Sequence, residues 1–135
     1  MKFKNLFLRL SSKEKGEKAE NLAISYLVSK GFKIIEKNFR TSFGEIDIIA
    51  QKNSVLVFVE VKSEFSNNDF FAEEKVNFKK KEKIFKVAEY FLLKNLKKLS
   101  KIKGIRFDVI IVKGKTGEII HYESAFYKEE CFTRY

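Results

Sequence analysis

Two acids and a lysine lie close together in two consecutive apolar segments, GEIDIIA and VLVFVEVK. Asp47 belongs to the first segment, and Glu60 and Lys62 belong to the second. Mg²⁺ or Mn²⁺ takes oxygen ligands in proteins, commonly one or two carboxylates together with waters and substrate phosphate. A lysine beside such an ion can orient an attacking water and offset the charge on a phosphate. These residue types are therefore those of metal-dependent phosphodiester hydrolysis.

The two segments are predicted to form an antiparallel hairpin. Alternation divides the first segment between two faces, with Glu45, Asp47 and Ile49 on one and Ile46, Ile48 and Ala50 on the other. Alternation in the second segment gives one shared face to Leu56, Phe58, Glu60 and Lys62. The connector 51–54 is polar and turn-prone, and it places Ala50 opposite Val57. Asp47 then lies directly opposite Glu60, with their Cβ atoms about 5 Å apart.

Two further groups are candidate metal ligands. The backbone carbonyl of Val61 lies between the glutamate and the lysine of the second segment. Glu20 lies on a predicted helix over residues 12–30, at the edge of its buried stripe, whereas Glu17 falls on the solvent side. Glu20 could bind the ion through water or receive a second metal ion.

A purely structural interpretation of the same residues remains open. Asp47 or Glu60 could form an ordinary cross-strand salt bridge with Lys62 or Arg40, as such pairs are common in sheets. Arg40 could instead contact a phosphate. Glu45 shares the predicted site face and is either a further ligand or a charge at the end of a strand.

Two helices and five strands are predicted in the order αβββαββ. The first helix spans residues 12–30, from a capping box formed by Ser11 and Glu14 to a stop at Gly31. The second helix spans residues 76–99, after a loop that contains Asn67, Asn68 and Asp69. The strands are predicted over residues 32–39, 45–50, 55–62, 105–112 and 118–122. This order favours an α/β fold with one mixed central sheet flanked by helices.

The net charge of +10 is concentrated on the second predicted helix and the residues after it. Residues 75–106 carry twelve Lys or Arg and two Glu, and the rest of the chain carries sixteen of each sign. The apolar stripe of the helix is predicted to contain Phe78, Phe85, Ala88, Leu92, Leu96 and Leu99. Its polar side carries Lys79, Lys80, Lys81, Lys83 and Lys86. This surplus favours binding to nucleic-acid phosphates, with a solvated helix face or an anionic membrane surface as alternatives.

The length of 135 residues predicts a single domain over residues 12–127, with an N-terminal arm (1–11) and a C-terminal tail (128–135). Cys131 is the single cysteine and cannot form a disulfide within the chain, which favours a reducing compartment. The apolar runs are far shorter than the ~18 residues of a membrane span, and the first residues lack a signal-peptide pattern. We expect a cytoplasmic protein with no membrane partner.

Motifs along the chain resemble the signature of PD-(D/E)XK nucleases. They are Gly16-x-x-x-Glu20, Gly44-Glu45-Ile46-Asp47 and, twelve residues later, Glu60-Val61-Lys62. The arrangement is similar to that of archaeal Holliday junction resolvases, and more similar still to the bacterial YraN-like family placed near them. The resemblance extends over residues 12–126, through the segments KGEKAENLAISYL, GEIDIIA, LVFVEVK, IRFDVIIV and HYESAF.

The resemblance implies a restriction-endonuclease-like fold with an αβββαβ core and an Mg²⁺ or Mn²⁺ cofactor. It implies that Glu20, Asp47 and Glu60 are metal ligands and that Lys62 is the catalytic lysine. DNA is the implied partner, with RNA as the alternative, and a homodimer is the implied oligomer, although no dimer face can be read. The resolvases have an arginine after the helical glutamate, where this chain has Asn21. Junction-specific cleavage therefore cannot be carried over.

Three functions are compared. The first is a metal-dependent endonuclease that hydrolyses DNA phosphodiester bonds, with branched, recombining or incoming single-stranded DNA as substrates. The second is a non-catalytic nucleic-acid-binding module that uses the same fold as a scaffold. The third is an interaction domain whose basic helix docks an acidic protein. Cleavage with added metal separates the first from the second, and DNA binding at low salt separates both from the third.

Several other polar and aromatic residues are expected to be structural. Arg106 and Asp108 point the same way on one strand and are predicted to form an ion pair. His121 and Cys131 are single residues of their kinds, too few for a zinc site, and no acid–base partner of His121 is evident. Most of the 15 Phe residues are expected in the core. Some could stack on unpaired bases, but the sequence does not identify which.

Overall fold

The structure, a computed structural model, describes residues 10–64 and 78–126, except for the side chains of residues 78 and 79. Its elements follow the predicted order αβββαββ. The helices are α1 (Ser12–Ser29) and α2 (Phe78–Lys94). The strands are β1 (Lys33–Thr41), β2 (Gly44–Lys52), β3 (Val55–Glu64), β4 (Gly104–Lys113) and β5 (Ile119–Phe126). Most of the predicted arm, the loop with Asn67, Asn68 and Asp69, and the tail with Cys131 lie outside the described residues.

The five strands form one mixed sheet in the order β1-β2-β3-β4-β5. Neighbouring strands are antiparallel except for β3 and β4, which are parallel and lie on either side of α2 in the chain. Two buried clusters cover the sheet. The α1-side core contains Ala19, Ala23, Leu27, Phe32, Ile48, Ala50, Val57, Val59, Ile110 and Val112. The α2-side core contains Ile46, Ile49, Leu56, Phe58, Ile84, Val87, Ala88, Phe91, Val109, Ile111 and Phe126.

Helix α1 forms as predicted. The Ser11 hydroxyl accepts a hydrogen bond from the Glu14 N–H (3.2 Å), and the Ser11 N–H donates to the Glu14 carboxylate (3.1 Å). This capping box satisfies backbone donors that the first turn would leave unpaired. The helix stops before Gly31, whose φ of +92° is accessible to glycine at little cost. Glu17 is exposed, also as predicted.

The β2–β3 hairpin has the predicted register. Ala50 pairs with Val57, and the antiparallel ladder continues as far as Ile48 opposite Val59. The side-chain faces of β3 also match the prediction, because Val57 and Val59 enter the α1-side core and Leu56 and Phe58 enter the α2-side core. Strand β3 therefore has the two side-chain faces that the alternation predicted.

The predicted alternation of β2 is wrong at one position. Ile46 packs in the α2-side core together with Ile49, and not with Ile48 in the α1-side core. The physical reason is a break in the regular strand geometry at Asp47. The paired ladder to β3 starts at Ile48, so Asp47 lies just outside it. On β1, the residue that faces Asp47 is Asn38, which has a φ of +53°. Asp47 thus lies at a local irregularity between two regular stretches.

Helix α2 ends earlier than predicted. Its most buried residues are Ile84, Val87, Ala88 and Phe91, and the predicted Phe85 and Leu92 are partly buried against the same core. Leu96, predicted to face inward, lies beyond the end of the helix and is 64% exposed. The helix ends at Lys94 instead of residue 99, and the Phe91 carbonyl accepts hydrogen bonds from both the side chain (2.8 Å) and the backbone N–H (3.2 Å) of Asn95. Within the described ranges, neither helix is long and apolar enough to cross a membrane.

Candidate active site

Asp47 closes the gap where β2 and β3 separate. Its Oδ2 accepts a hydrogen bond from the Val61 N–H at 2.8 Å, in the position where the next rung of the ladder would lie. Both Asp47 and Glu60 are buried. Asp47 and Glu60 therefore lie where β2 and β3 separate. The regular ladder precedes them, and the bond from the Val61 N–H to the Asp47 side chain follows it.

The carboxyl groups of Asp47 and Glu60 share a hydrogen bond. Burial, this hydrogen bond and the charge of Glu60 raise the pKa of Asp47 to about 8, against the opposing effects of the Val61 N–H and Lys80. Two negative charges this close are unfavourable in a desolvated site. The raised pKa of Asp47 means that its charged form is disfavoured, and a divalent ion would relieve this electrostatic condition.

Glu20 reaches the same region from α1. Burial raises its pKa, and the charge of Asp47 raises it further, while a hydrogen bond from Asn38 has the opposite effect. Asn38, the β1 residue with a positive φ, is therefore the hydrogen-bond partner of Glu20. This places a third carboxylate within the electrostatic reach of the pair.

Two lysines face the carboxyl pair. The Lys80 Nζ, from α2, lies 3.3 Å from the Glu60 Oε2. Burial and a hydrogen bond to Lys80 lower the pKa of Lys62, against the effect of Glu60. Burial also opposes the charged form of Lys80, but its contacts with Lys62, Glu60 and Asp47 outweigh burial and raise its pKa. Lys80 is thus the permanent counter-ion, and Lys62 is the lysine whose proton is more readily lost.

The donor chemistry fits a hard divalent cation. In the described residues no three His, Cys, Asp or Glu side chains group closely enough to hold a metal ion by themselves. The additional donor is the backbone of Val61. Because the N–H and C=O of a strand residue point to the same side, the Val61 carbonyl lies on the side of β3 where its N–H binds Asp47. Asp47, Glu60 and the Val61 carbonyl offer oxygen ligands of the type that Mg²⁺ prefers, with the rest left to water and phosphate.

Comparison with known proteins places this chain in a family. Residues 19–112 match the Uncharacterised protein family UPF0102, a segment that runs from α1 to β4. The chain belongs to UPF0102. It is 46% identical to a UPF0102 protein of Thermodesulfovibrio yellowstonii, over 84% of this chain and 96% of the relative. It is also 46% identical to one of Clostridioides difficile, over 87% of this chain and all of the relative.

The segment matched by UPF0102 contains every residue of the candidate site. Glu20, Asp47, Glu60, Val61 and Lys62, which the sequence nominated, lie together as described above. The YraN-like membership inferred from the motifs is thereby confirmed at the level of the family.

Arg40 and Glu45 lie outside the buried pair. The Arg40 Nε donates to the Glu45 Oε2 at 2.8 Å, and both side chains are largely exposed. The charge of Glu45 does contribute to the raised pKa of Glu20. Glu45 is therefore the strand-end charge of the two alternatives, with a long-range influence on the site.

The predicted nucleic-acid-binding lysines divide into two groups. Lys80 is part of the carboxylate cluster, as described. Lys81 lies with its Nζ 5.6 Å from the centre of the Phe126 ring, and Lys83 is exposed. The side chain of Lys79 lies outside the described residues. The polar side of α2 therefore begins in the candidate site and continues away from it as an exposed basic surface.

Sequence reasoning missed two sets of partners in this UPF0102 protein. It assigned Lys80 only a contact with phosphate. The packing of α2 against the sheet, which the sequence does not reveal, brings this lysine to Glu60. It also found no acid–base partner of His121, which was wrong. The His121 Nε2 lies 2.7 Å from Asp108, and its Nδ1 lies 3.1 Å from the Tyr26 hydroxyl. The predicted Arg106–Asp108 ion pair is present, with two contacts of 2.9 Å.

Proposed function

We propose that this protein is an Mg²⁺- or Mn²⁺-dependent endonuclease that hydrolyses phosphodiester bonds in DNA, with branched or recombining DNA as the first substrates to test. The observation that carries the proposal is the buried pair of acids Asp47 and Glu60, with the Val61 N–H bound to Asp47 and the Lys80 Nζ 3.3 Å from Glu60. A structural salt bridge would not need two carboxyl groups in contact. The resemblance of the GEID and EVK motifs to PD-(D/E)XK nucleases and Holliday junction resolvases supports the same assignment.

Each side chain has a distinct task in this proposal. Asp47, Glu60 and the Val61 carbonyl would hold the ion, and Glu20 would act on it through water. The bound ion would neutralise the carboxylates and promote ionisation of an attacking water. Lys62, whose pKa is lowered mainly by burial, would orient that water and donate a hydrogen bond to a phosphate oxygen. Lys80 would leave Glu60 and contact the substrate phosphate.

The basic surface of α2 would bind DNA without reading its sequence. Lysines contact phosphates as point charges, and in the described residues no helix-turn-helix or other base-reading module is present. Affinity should therefore fall steeply as salt rises, because each phosphate contact releases a counter-ion.

Cleavage of a supercoiled plasmid and of a four-way junction, with and without Mg²⁺ or Mn²⁺, tests the proposal. We expect nicking by the wild type and a loss of about 100-fold or more in Asp47→Asn and Lys62→Met. Glu20→Gln should also reduce cleavage, and Glu17→Gln is its matched control, since both acids lie on α1 but Glu17 is exposed. Equal cleavage by wild type, Asp47→Asn and Lys62→Met would assign the activity to a contaminant and contradict the proposal.

A non-catalytic binding module is the second candidate, and one contact favours it. Lys80 already neutralises part of the carboxyl charge without a metal ion. A scaffold that only binds DNA would show salt-sensitive binding that survives Glu60→Ala, and no cleavage with any divalent metal.

A further inference from the structure

A groove lined by aromatic and basic residues lies at the tip of the β1–β2 hairpin. It has a volume of about 170 Å³, and its walls include Phe39, Arg40, Phe43, Tyr90 and Lys94. Pockets for drug-sized ligands are ~300–1,000 Å³, so this space suits a single planar ring system. We call it the hairpin groove.

Phe43 is the most distinctive residue of the hairpin groove. It lies in the two-residue turn between β1 and β2 and is 47% exposed. Such turns favour Asn, Asp and Gly, so the turn itself gives no reason for a phenylalanine. The Thr41 hydroxyl accepts the Phe43 N–H (3.1 Å) and donates to the Gly44 carbonyl (3.2 Å). These bonds fix the backbone of the turn that carries the exposed aromatic ring.

Tyr90 supplies a second wall at an angle to the first. It is 41% exposed, and its ring lies 6.3 Å from the Phe43 ring with an interplanar angle of 70°. A flat ligand stacked on Phe43 would thus meet Tyr90 roughly edge-on. Edge-to-face and offset-stacked contacts are the favourable aromatic geometries.

Two cations flank these rings. The Lys94 Nζ lies 5.7 Å from the centre of the Tyr90 ring. The Arg40 side chain is 74% exposed; its Nε pairs with Glu45, and the guanidinium has four further N–H donors. Positive charge beside exposed aromatic faces complements a ligand with a planar π-system and an attached anion. A nucleotide has both.

The hairpin groove and the candidate active site lie near the two ends of one face of α2. Residues 80, 83, 87, 90 and 94 follow the i, i+3, i+7 spacing of a single helix face. Between its two ends this face packs on the hairpin, where a β-carbon added at Gly44 would lie 3.7 Å from the Lys83 Cβ. Lys80 and Tyr90 are ten residues apart, or about 15 Å along a helix. At ~3.4 Å per stacked nucleotide, this corresponds to roughly four nucleotides.

We propose that the hairpin groove binds one unpaired base of the DNA strand whose scissile phosphate lies in the candidate active site. Phe43 stacks on the base, Tyr90 contacts its edge, and Arg40 and Lys94 bind the adjacent phosphates. This inference rests on the proposed nuclease function and specifies its substrate as DNA with an unpaired segment beside the scissile bond. Groove binding itself requires no metal ion.

Fluorescence anisotropy with EDTA present tests the inference apart from cleavage. The probes are a labelled single-stranded oligothymidine, an oligonucleotide of the same length made of abasic sites, and a blunt duplex. We expect the wild type to prefer oligothymidine to the abasic strand, and Phe43→Ala to lose about tenfold in affinity for oligothymidine alone. Phe43→Tyr should retain it. Leu93→Ala is the control, because Leu93 is 64% exposed on the same helix and does not line the groove.

The outcomes separate this inference from the proposed function. Unchanged binding of oligothymidine by Phe43→Ala and Tyr90→Ala, with wild-type cleavage intact, would overturn the hairpin groove and leave the nuclease standing. An equal loss on the abasic strand would overturn base stacking. Arg40→Gln and Lys94→Gln should each reduce the salt dependence of single-strand binding by about 0.7 in the log–log slope. Wild-type protein that binds no probe at low salt would contradict both proposals.

Discussion

Two buried aspartates occupy breaks in the same sheet, and their surroundings have opposite effects. Asp47 lies where the β2–β3 ladder ends and accepts the Val61 N–H. Asp108 lies at the irregularity between β4 and β5 and accepts the Ser124 N–H at 3.0 Å. Yet the pKa of Asp47 is raised to about 8, whereas that of Asp108 is lowered.

The difference comes from what else each carboxyl group meets. For Asp108, burial is outweighed by hydrogen bonds from His121, Arg106 and Ser124, so its charge is satisfied within the fold. For Asp47, burial is reinforced by a second carboxyl group. A buried carboxylate whose charge is balanced by hydrogen bonds, such as Asp108, stabilises the fold. Two buried carboxyl groups that repel each other, such as Asp47 and Glu60, are typical of a site that binds a cation. We therefore assign a structural role to Asp108 and a role in the candidate active site to Asp47.

The largest expected effect is on stability. Asp108→Ala should lower the free energy of unfolding by about 3–5 kcal/mol, since it leaves Arg106 and His121 without the anion they share. Asp47→Asn should keep or raise the stability of the metal-free protein at pH 8, because the amide oxygen can still accept the Val61 N–H and the like-charge contact is removed. Urea denaturation of both variants measures the difference. Equal destabilisation would show that the two aspartates have the same role.

The pH dependence of stability should separate the two residues next. Because the pKa of Asp47 in the folded protein lies above its ordinary value of 3.8, the native state binds the extra proton between about pH 4 and 8. Stability should then fall as pH rises through this window, by up to about 1.4 kcal/mol per unit. The raised pKa of Glu20 acts in the same direction. The lowered pKa of Asp108 means that its charged form stabilises the fold above pH 3.8, and this stabilisation is lost as the pH falls below that value.

Chemical denaturation in EDTA from pH 5 to pH 8 checks this prediction. The wild type should lose stability across the range, and Asp47→Asn should lose distinctly less. A pH profile that is identical in the two proteins would remove Asp47 as the titrating group.

Metal affinity should respond to the counter-ion of the carboxyl pair. Lys80→Met removes the ammonium group that competes for Glu60, so Mn²⁺ should bind roughly three- to tenfold tighter, equivalent to ~0.7–1.4 kcal/mol. Isothermal titration calorimetry without DNA measures this. Lys86→Met is the control, as an exposed lysine on the same helix. Weaker binding in Lys80→Met than in the control would mean that Lys80 supports the ion instead of competing with it.

The regular parts of this comparison could be predicted from sequence, and the breaks could not. Apolar alternation and a short polar turn determine the β2–β3 register as far as Ile48 and Val59, and Asp47 and Glu60 are the next residues on the two strands. Alternation assumes an unbroken ladder, and it therefore failed for Ile46, next to the residue where the ladder ends. Asn38, which supports Glu20, adopts a positive φ that its sequence context does not signal.

Long-range partners were missed for a different reason. Lys80 reaches Glu60, and His121 reaches Asp108, through the placement of whole elements against one another. The placement of α2 depends on which of its apolar residues pack inward, and the predicted stripe did not include the buried Ile84, Val87 and Phe91. The partner of His121 depends on a β4–β5 register that shifts between Phe107 and Val109. The acids and Lys62 were thus predictable from sequence, and the second lysine was not.

The smallest effect is expected at the exposed ion pair of the β1–β2 hairpin. Arg40 and Glu45 approach to 2.8 Å, as closely as the groups around Asp108, but solvent screens them. Glu45→Gln should change the free energy of unfolding by less than about 1 kcal/mol. Urea denaturation at low and high NaCl checks this, and any difference should shrink with salt. Suppose that Glu45→Gln lowers the free energy of unfolding as much as Asp108→Ala does. The distance between opposite charges would then govern the contribution of an ion pair to stability, and burial and hydrogen-bond donors would not.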